Sequence, residues 1–122
     1  MSQGSPKILI LEDEALILMD LAFAVEDLGA TVVKASNPRQ ALAAIKEQAI
    51  DAAILDVNLG TGQDCADVAD ELARRGTPFV LHSGDLDRKG ELIRKINAPI
   101  LRKPMLASAV AEATMKLVGA PA

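Results

Sequence analysis

Ile8-Leu9-Ile10-Leu11-Glu12-Asp13-Glu14 is an apolar run that ends abruptly in a run of acids. The run is too short for a buried helix and apolar without alternation, so it reads as a strand covered on both faces whose carboxyl end enters a polar loop. A helical pattern follows at once: Ile17, Leu21, Ala24, Val25 and Leu28 recur at helical spacing, and Gly29 stands where a left-handed C-terminal cap belongs. Thr31 to Ala35 reads as a second strand. Asn37 before Pro38, with Gln40 three residues on, is an N-cap with proline in the first helical position and a box-like partner, opening a helix to about Gln48.

The cycle repeats. Ala52 to Leu55 is an apolar run ended by Asp56; Gly60 and Gly62 open the chain before a helix expected from about Asp64 to Arg75. Pro78 to His82 forms a fourth strand ended by Ser83, Gly84 and Asp85, with a weaker helix through Leu92, Ile93 and Ile96. Pro99 to Arg102 is a short fifth strand. After Lys103 and Pro104, the positions Leu106, Val110, Ala113 and Leu117 define a closing helix. Strands alternating with helices, the inner strands almost wholly apolar, predict an α/β fold: a doubly wound, five-stranded parallel sheet with helices on both faces. Right-handed crossovers favour the flavodoxin-like order 2-1-3-4-5, which puts the more polar strands two and five at the edges. The expected organisation is a loose segment 1–6, one domain over 7–118 and a tail 119–122.

A chain of 122 residues, half of them hydrophobic, supports one core of ordinary size. It holds no apolar run long enough to cross a bilayer and no leader-like start, so the expectation is a cytoplasmic protein. A net charge of −4, no basic run, and no Trp or Tyr argue against nucleic acid as a partner. The single cysteine, Cys65, has no internal disulfide partner and reads as a small buried side chain. The single histidine, His82, reads as a hydrogen-bonded, half-buried residue, since no second ligand accompanies it.

Ligands of open α/β sheets bind outside the carboxyl ends of the strands. Here those ends carry Glu12 and Asp13, Asp56, Ser83, and Lys103. Carboxylates crowded on one rim raise one another's pKa unless a cation is present, and a hard divalent ion such as Mg²⁺ suits oxygen donors of this kind. An aspartate is already ionised at neutral pH and can attack phosphorus to form an acyl phosphate. An ammonium and a hydroxyl nearby would neutralise and hydrogen-bond the equatorial oxygens. Asp13 and Asp64 also suit helix N-termini, and helix-dipole stabilisation is a competing role for Glu12.

With these pieces in place, the sequence resembles response-regulator receiver domains from Lys7 to about Val118. The resemblance rests on Glu12-Asp13, on Asp56 within Leu-Asp-Val-Asn-Leu-Gly, on Ser83-Gly84 and on Lys103-Pro104. It implies a module that accepts a phosphoryl group on Asp56 from a histidine kinase or histidine phosphotransfer protein, and that catalyses only its own phosphorylation and dephosphorylation. By position, Asp13, Asp56 and the backbone carbonyl of Asn58 would ligate Mg²⁺, with Glu12 acting directly or through a water. Ser83 and Lys103 would attend the phosphoryl group. The side chains of Asn58 and Asp85 would bear on phosphate lifetime. Two departures stand out: Ile100 occupies the place usual for a switching aromatic, and Glu12 replaces the commoner Asp. The stretch Pro78 to Gly84 resembles that of output-less regulators in general stress signalling, which also lack the aromatic.

The first helix carries more apolar residues than one face needs. Leu18, Met19, Ala22 and Phe23 fall largely outside the Ile17-Leu21-Leu28 stripe and are the expected docking face for a kinase or phosphotransfer bundle. No effector region follows the closing helix, so the expected output is contact with an unidentified downstream protein, a relay step, or a phosphate sink. Two rival readings are a haloacid-dehalogenase-like phosphohydrolase and a receiver-like module that works without phosphate. The first normally places its nucleophile after strand one with a second Asp two residues on, whereas Asn58 follows Asp56 here; the retained Asp56, Ser83 and Lys103 speak against the second.

Overall fold

The computed structural model of the protein describes residues 5–59, 63–83 and 98–118. In chain order these form β1 (Lys7–Leu11), α1 (Ala15–Asp27), β2 (Thr31–Ala35), α2 (Pro38–Glu47), β3 (Ala52–Asp56), β4 (Asn58–Leu59), β5 (Gln63–Asp64), α3 (Ala66–Arg74), β6 (Phe79–Ser83), β7 (Ile100–Arg102) and α4 (Ala107–Met115). Five strands make one sheet in the order β2-β1-β3-β6-β7, every pairing parallel. Renumbered without the small β4–β5 hairpin, this is the expected 2-1-3-4-5 order. The fourth helix expected through Leu92, Ile93 and Ile96 lies outside the described residues, as do Gly84 and Asp85.

Two-residue alternation along each strand divides the core in two. Leu9 and Leu11, Ala53 and Leu55, and Phe79 and Leu81 pack with Ala41 and Ile45 of α2 and Val68 and Leu72 of α3. Ile8 and Ile10, Ala52 and Ile54, and Val80 pack on the other face with Leu21 and Val25 of α1 and Val110 and Ala111 of α4. Having helices on both faces is why β3 and β6 are buried at every position, and why their sequences show no polar alternation. Both edge strands are more exposed, as their composition requires.

The backbone ladder continues past the strands into the polar rim. Glu12 N–H donates to Ala35 C=O at 3.0 Å, Val57 N–H to His82 C=O at 3.2 Å, and Lys103 N–H to Ser83 C=O at 2.8 Å. The residues bearing ionic side chains are therefore held by main-chain bonds as firmly as the strands themselves.

Local chemistry sets the helix ends. Asn37 caps α2 through its side chain, which accepts from Gln40 N–H at 2.8 Å. Gln40 returns the bond to the backbone N–H of Ser36 at 2.8 Å, one residue earlier than a capping box would place it. Gly29, φ +89°, takes the left-handed conformation after α1.

Three expectations need correction. Asp64 belongs to β5, paired with Asn58, so α3 starts at Ala66; two-residue strands carry too little sequence for any periodicity to register. The buried stripe of α4 runs through Val110, Ala111 and Thr114, while Leu106 is the exposed N-cap residue. Thr114 escapes notice as a core residue because its hydroxyl donates to Val110 C=O at 2.8 Å, which lets it sit inside. On α1 the buried residues are Leu21, Ala22 and Val25. Ala22 is therefore core, and Leu18 is half-buried against the same cluster, so neither belongs to an outward face.

Candidate functional site

Glu12, Asp13, Asp56, Ser83 and Lys103 meet at the carboxyl edge of the sheet because β1, β3, β6 and β7 run parallel and end level. Glu12, Asp13 and Asp56 each offer a carboxylate oxygen, and the three atoms lie within 4.8 Å of one another. Glu12 is fully buried and Asp56 is 2% exposed, whereas Asp13 is open to solvent. Lys103 reaches in from β7's end. Its Nζ lies 3.2 Å from Glu12 Oε1 and 3.4 Å from Asp56 Oδ1. The Lys103-Pro104 peptide bond that follows is cis.

These distances define an electrostatic conflict. Burial, a hydrogen bond with Asp56 and the charge of Asp56 raise the Glu12 carboxyl to about 7, against the weaker opposing influences of the Glu14 N–H and Lys103. Burial pulls the Lys103 ammonium down, but its attraction to Asp56 and Glu12 outweighs that and holds it above its ordinary value. One cation thus faces two buried acids and a third close by, so negative charge remains in excess. The Oγ of Ser83, also buried, has no hydrogen-bond partner among the described residues. A hydroxyl left in that condition costs about 1–3 kcal/mol, so the rim holds both an anionic surplus and an unspent donor.

Not every expected residue is tested equally. Asn58 sits in β4, one residue beyond Val57, and its main chain is fixed by pairing with Asp64. Asp85 lies outside the described residues. His82 differs from expectation: it is 4% exposed, and neither ring nitrogen has a partner among the described residues. The alternation of β6 explains this, since His82 follows Val80 onto the α1/α4 face, where it lines the same cavity as Ile17, Leu21, Asp20 and Lys103. Burial, aided by the charge of Lys103, pushes its imidazole down to about 4.

On α1, Met19 and Phe23 are exposed as expected, at 49% and 61%. Leu16, 77% exposed, joins them at helical spacing and was not anticipated, although an apolar residue so soon after an acidic run was its signal. Met105 and Leu106, beyond Lys103, are exposed as well.

Comparison with known proteins identifies the family and the fold. A family model described as response regulator receiver domain matches residues 8–114. Among solved structures, SdrG from Sphingomonas melonis Fr1 is 40% identical, with 95% of this chain and 98% of that one covered and a TM-score of 0.77. A response regulator receiver protein from Sinorhizobium medicae WSM419 is 28% identical over 98% of both chains, with a TM-score of 0.82. A CheY-like receiver domain protein from Methanospirillum hungatei JF-1, 21% identical over 93% of this chain and 94% of that one, shares the fold with a TM-score of 0.78. No curated protein matches.

Two predictions follow from the electrostatics. Asp56→Asn removes two of the causes that raise Glu12, so without divalent cations the variant should be more stable than wild type at pH 7, by about 1–2 kcal/mol in urea unfolding; a destabilised variant would contradict the repulsion. His82 has a folded pKa of about 4 against an ordinary 6.5, so the unfolded chain binds the extra proton. Its contribution to stability is complete above pH 6.5 and declines as pH falls toward 4. The stability difference between wild type and His82→Leu should therefore shift against wild type by up to about 3 kcal/mol across that window; a difference independent of pH would refute it.

Proposed function

The chain belongs to the response-regulator receiver family, and from that footing we propose that Asp56 is its phosphoacceptor. The observation that carries this reading is the buried Asp56 carboxylate at the carboxyl end of the central strand, with the Lys103 ammonium 3.4 Å away. An Asp56 oxygen attacks the phosphorus of a phosphohistidine on a kinase or phosphotransfer protein. The P–O bond forms as the P–N bond breaks, and the histidine nitrogen keeps the electron pair and recovers a proton. Lys103 neutralises the phosphoryl oxygens, and the Ser83 hydroxyl, without a partner among the described residues, supplies a hydrogen bond to one of them. Attack of water on phosphorus later returns the free carboxylate. Asn58 and Asp85, two residues beyond Asp56 and Ser83, are placed in the sequence to affect how soon that happens. No separate substrate is turned over.

Mg²⁺ fits the acid cluster: the donors are all oxygen, and the raised Glu12 carboxyl is the mark of charge that a divalent cation offsets. Asp13, Asp56 and the backbone carbonyl of Asn58 would hold it. Glu12, whose two oxygens accept from Lys103 Nζ and from Glu14 N–H, would act on the ion directly or through a water. The ion, when bound, offsets the negative charge of the acids and the phosphoryl group.

The exposed Leu16-Met19-Phe23 stripe of α1 is our proposed docking face for the phosphodonor's helical bundle. It replaces the wider set that included Leu18 and Ala22. Described helices include none long and apolar enough to cross a membrane, and the proposed setting is the cytoplasm. Output then passes to a downstream protein, along a relay, or into a phosphate sink.

Incubation with acetyl phosphate and Mg²⁺ should add one phosphoryl group to wild type by intact mass and none to Asp56→Asn, and EDTA should abolish the gain. Equal labelling of the variant would move the acceptor elsewhere. Exchanging Met19 and Phe23 for Ser together should slow transfer from a phosphohistidine donor by about tenfold or more while leaving acetyl phosphate labelling unchanged. Equal loss with both donors would remove α1 from the docking face.

A further inference from the structure

The outer side of α1 carries acids beside its apolar stripe. Asp20 and Asp27 are both exposed and stand seven residues apart, which aligns them along the helix about 10 Å from each other. Phe23, 61% exposed, lies between them. Positions 8–33 contain no Lys or Arg, and neither acid has an ion-pair partner among the described residues.

A complementary surface lies on α2. An open depression of about 510 Å³ is lined there by Arg39, Leu42, Ala43, Lys46 and Glu47. Arg39 and Lys46 are exposed, again seven residues apart, and again without an ion-pair partner among the described residues. Half-buried Leu42 and the methyl of Ala43 form an apolar floor between them. A cavity of about 150 Å³ holds benzene, so the depression has room for the ring of Phe23.

Helix polarity fixes the orientation. Asp27 is the last residue of α1, where a negative charge opposes the helix dipole, and Arg39 stands in the first turn of α2, where a positive charge does. Laid antiparallel, the two helices bring Asp27 to Arg39 and Asp20 to Lys46, and Phe23 falls over Leu42 and Ala43. Each misplaced charge is then answered by the other. Glu47, one residue past Lys46, is turned about 100° from that line. Since α1 and α2 cover opposite faces of the sheet, the two surfaces cannot meet within one molecule.

We propose that α1 of one copy packs antiparallel on α2 of a second copy, joining molecules head to tail around Phe23. The contact is heterologous, so it builds short open chains instead of closing as a pair. One helix laid on another buries less than a stable dimer needs, so the association is weak. On the reading of the α1 stripe as the phosphodonor's docking face, an associated copy whose α1 is covered is closed to its donor.

Sedimentation equilibrium of the full chain needs neither phosphate nor metal, so its outcome is separate from the phosphoacceptor reading. At about 50 mM salt the average mass should be that of a monomer near ~10 µM and rise toward ~1 mM without a plateau at the dimer; the rise should shrink at about 0.5 M salt. Amide NMR shifts that change over the same range should centre on α1 and α2. Asp20→Lys with Asp27→Lys, and Arg39→Glu with Lys46→Glu, should each abolish self-association. An equal mixture of the two variants should restore it, because each reversed surface meets its reversed counterpart. Each substitution moves the native net charge of −4 by two, so the variants carry 0 and −8 and bulk charge supplies no attraction. A wild-type mass that stays monomeric to ~1 mM, shifts centred on other elements, or a mixture of folded variants that stays monomeric would each overturn the proposal. The two wild-type measurements decide alone if a variant loses its dispersed amide spectrum.

Discussion

The contact between the Lys103 ammonium and the buried carboxylates of Glu12 and Asp56 is the constraint on which the rim depends. Burying two acids side by side opposes folding, and a single amine offsets only part of that cost. The sheet tolerates the arrangement because its two hydrophobic layers supply the stability. Ile8, Ile10 and Ile54 on one face, and Leu9, Leu55 and Leu81 on the other, are withdrawn almost completely from water. Stability made in the layers is thus spent at the edge, where negative charge stays in excess and the Ser83 hydroxyl has no partner among the described residues.

The fold was legible in the sequence because each central strand is a short uninterrupted apolar run that stops at a polar residue. That pattern has one common physical origin, a parallel strand covered twice and ending at a rim. The site was legible for the same reason, since the residue after each run is by topology a rim residue: Glu12 after Leu11, Asp56 after Leu55, Ser83 and Lys103 at the ends of the last two strands. Spacing alone carried no information on the 3.2 Å contact across 91 positions between Lys103 and Glu12. Only the strand order delivers it.

What escaped was governed by packing. The β4–β5 hairpin is too short for a pattern. On α1 the expected stripe does face inward at Ile17, Leu21, Ala24 and Val25, but Leu28 is exposed and Leu18 and Ala22 join the buried side, because so apolar a helix has several plausible inward faces and contact with α4 and the sheet decides among them. His82 looked like a half-buried polar residue from its identity, but the alternation of β6 obliges it to follow Val80 into an apolar layer. Thr114 shows the converse, a polar residue whose helix supplies the acceptor that admits it to the core.

The long sequence separation of the rim residues bears on the order in which the molecule comes together. Glu12 and Asp13 are made early, Asp56 midway, and Lys103 near the end, and the pairing of β7 with β6 is the step that carries the amine to the acids. Gain of the last strand and gain of the acids' counter-charge are therefore one and the same structural event, so the edge strand cannot be displaced without uncovering the charge of the rim.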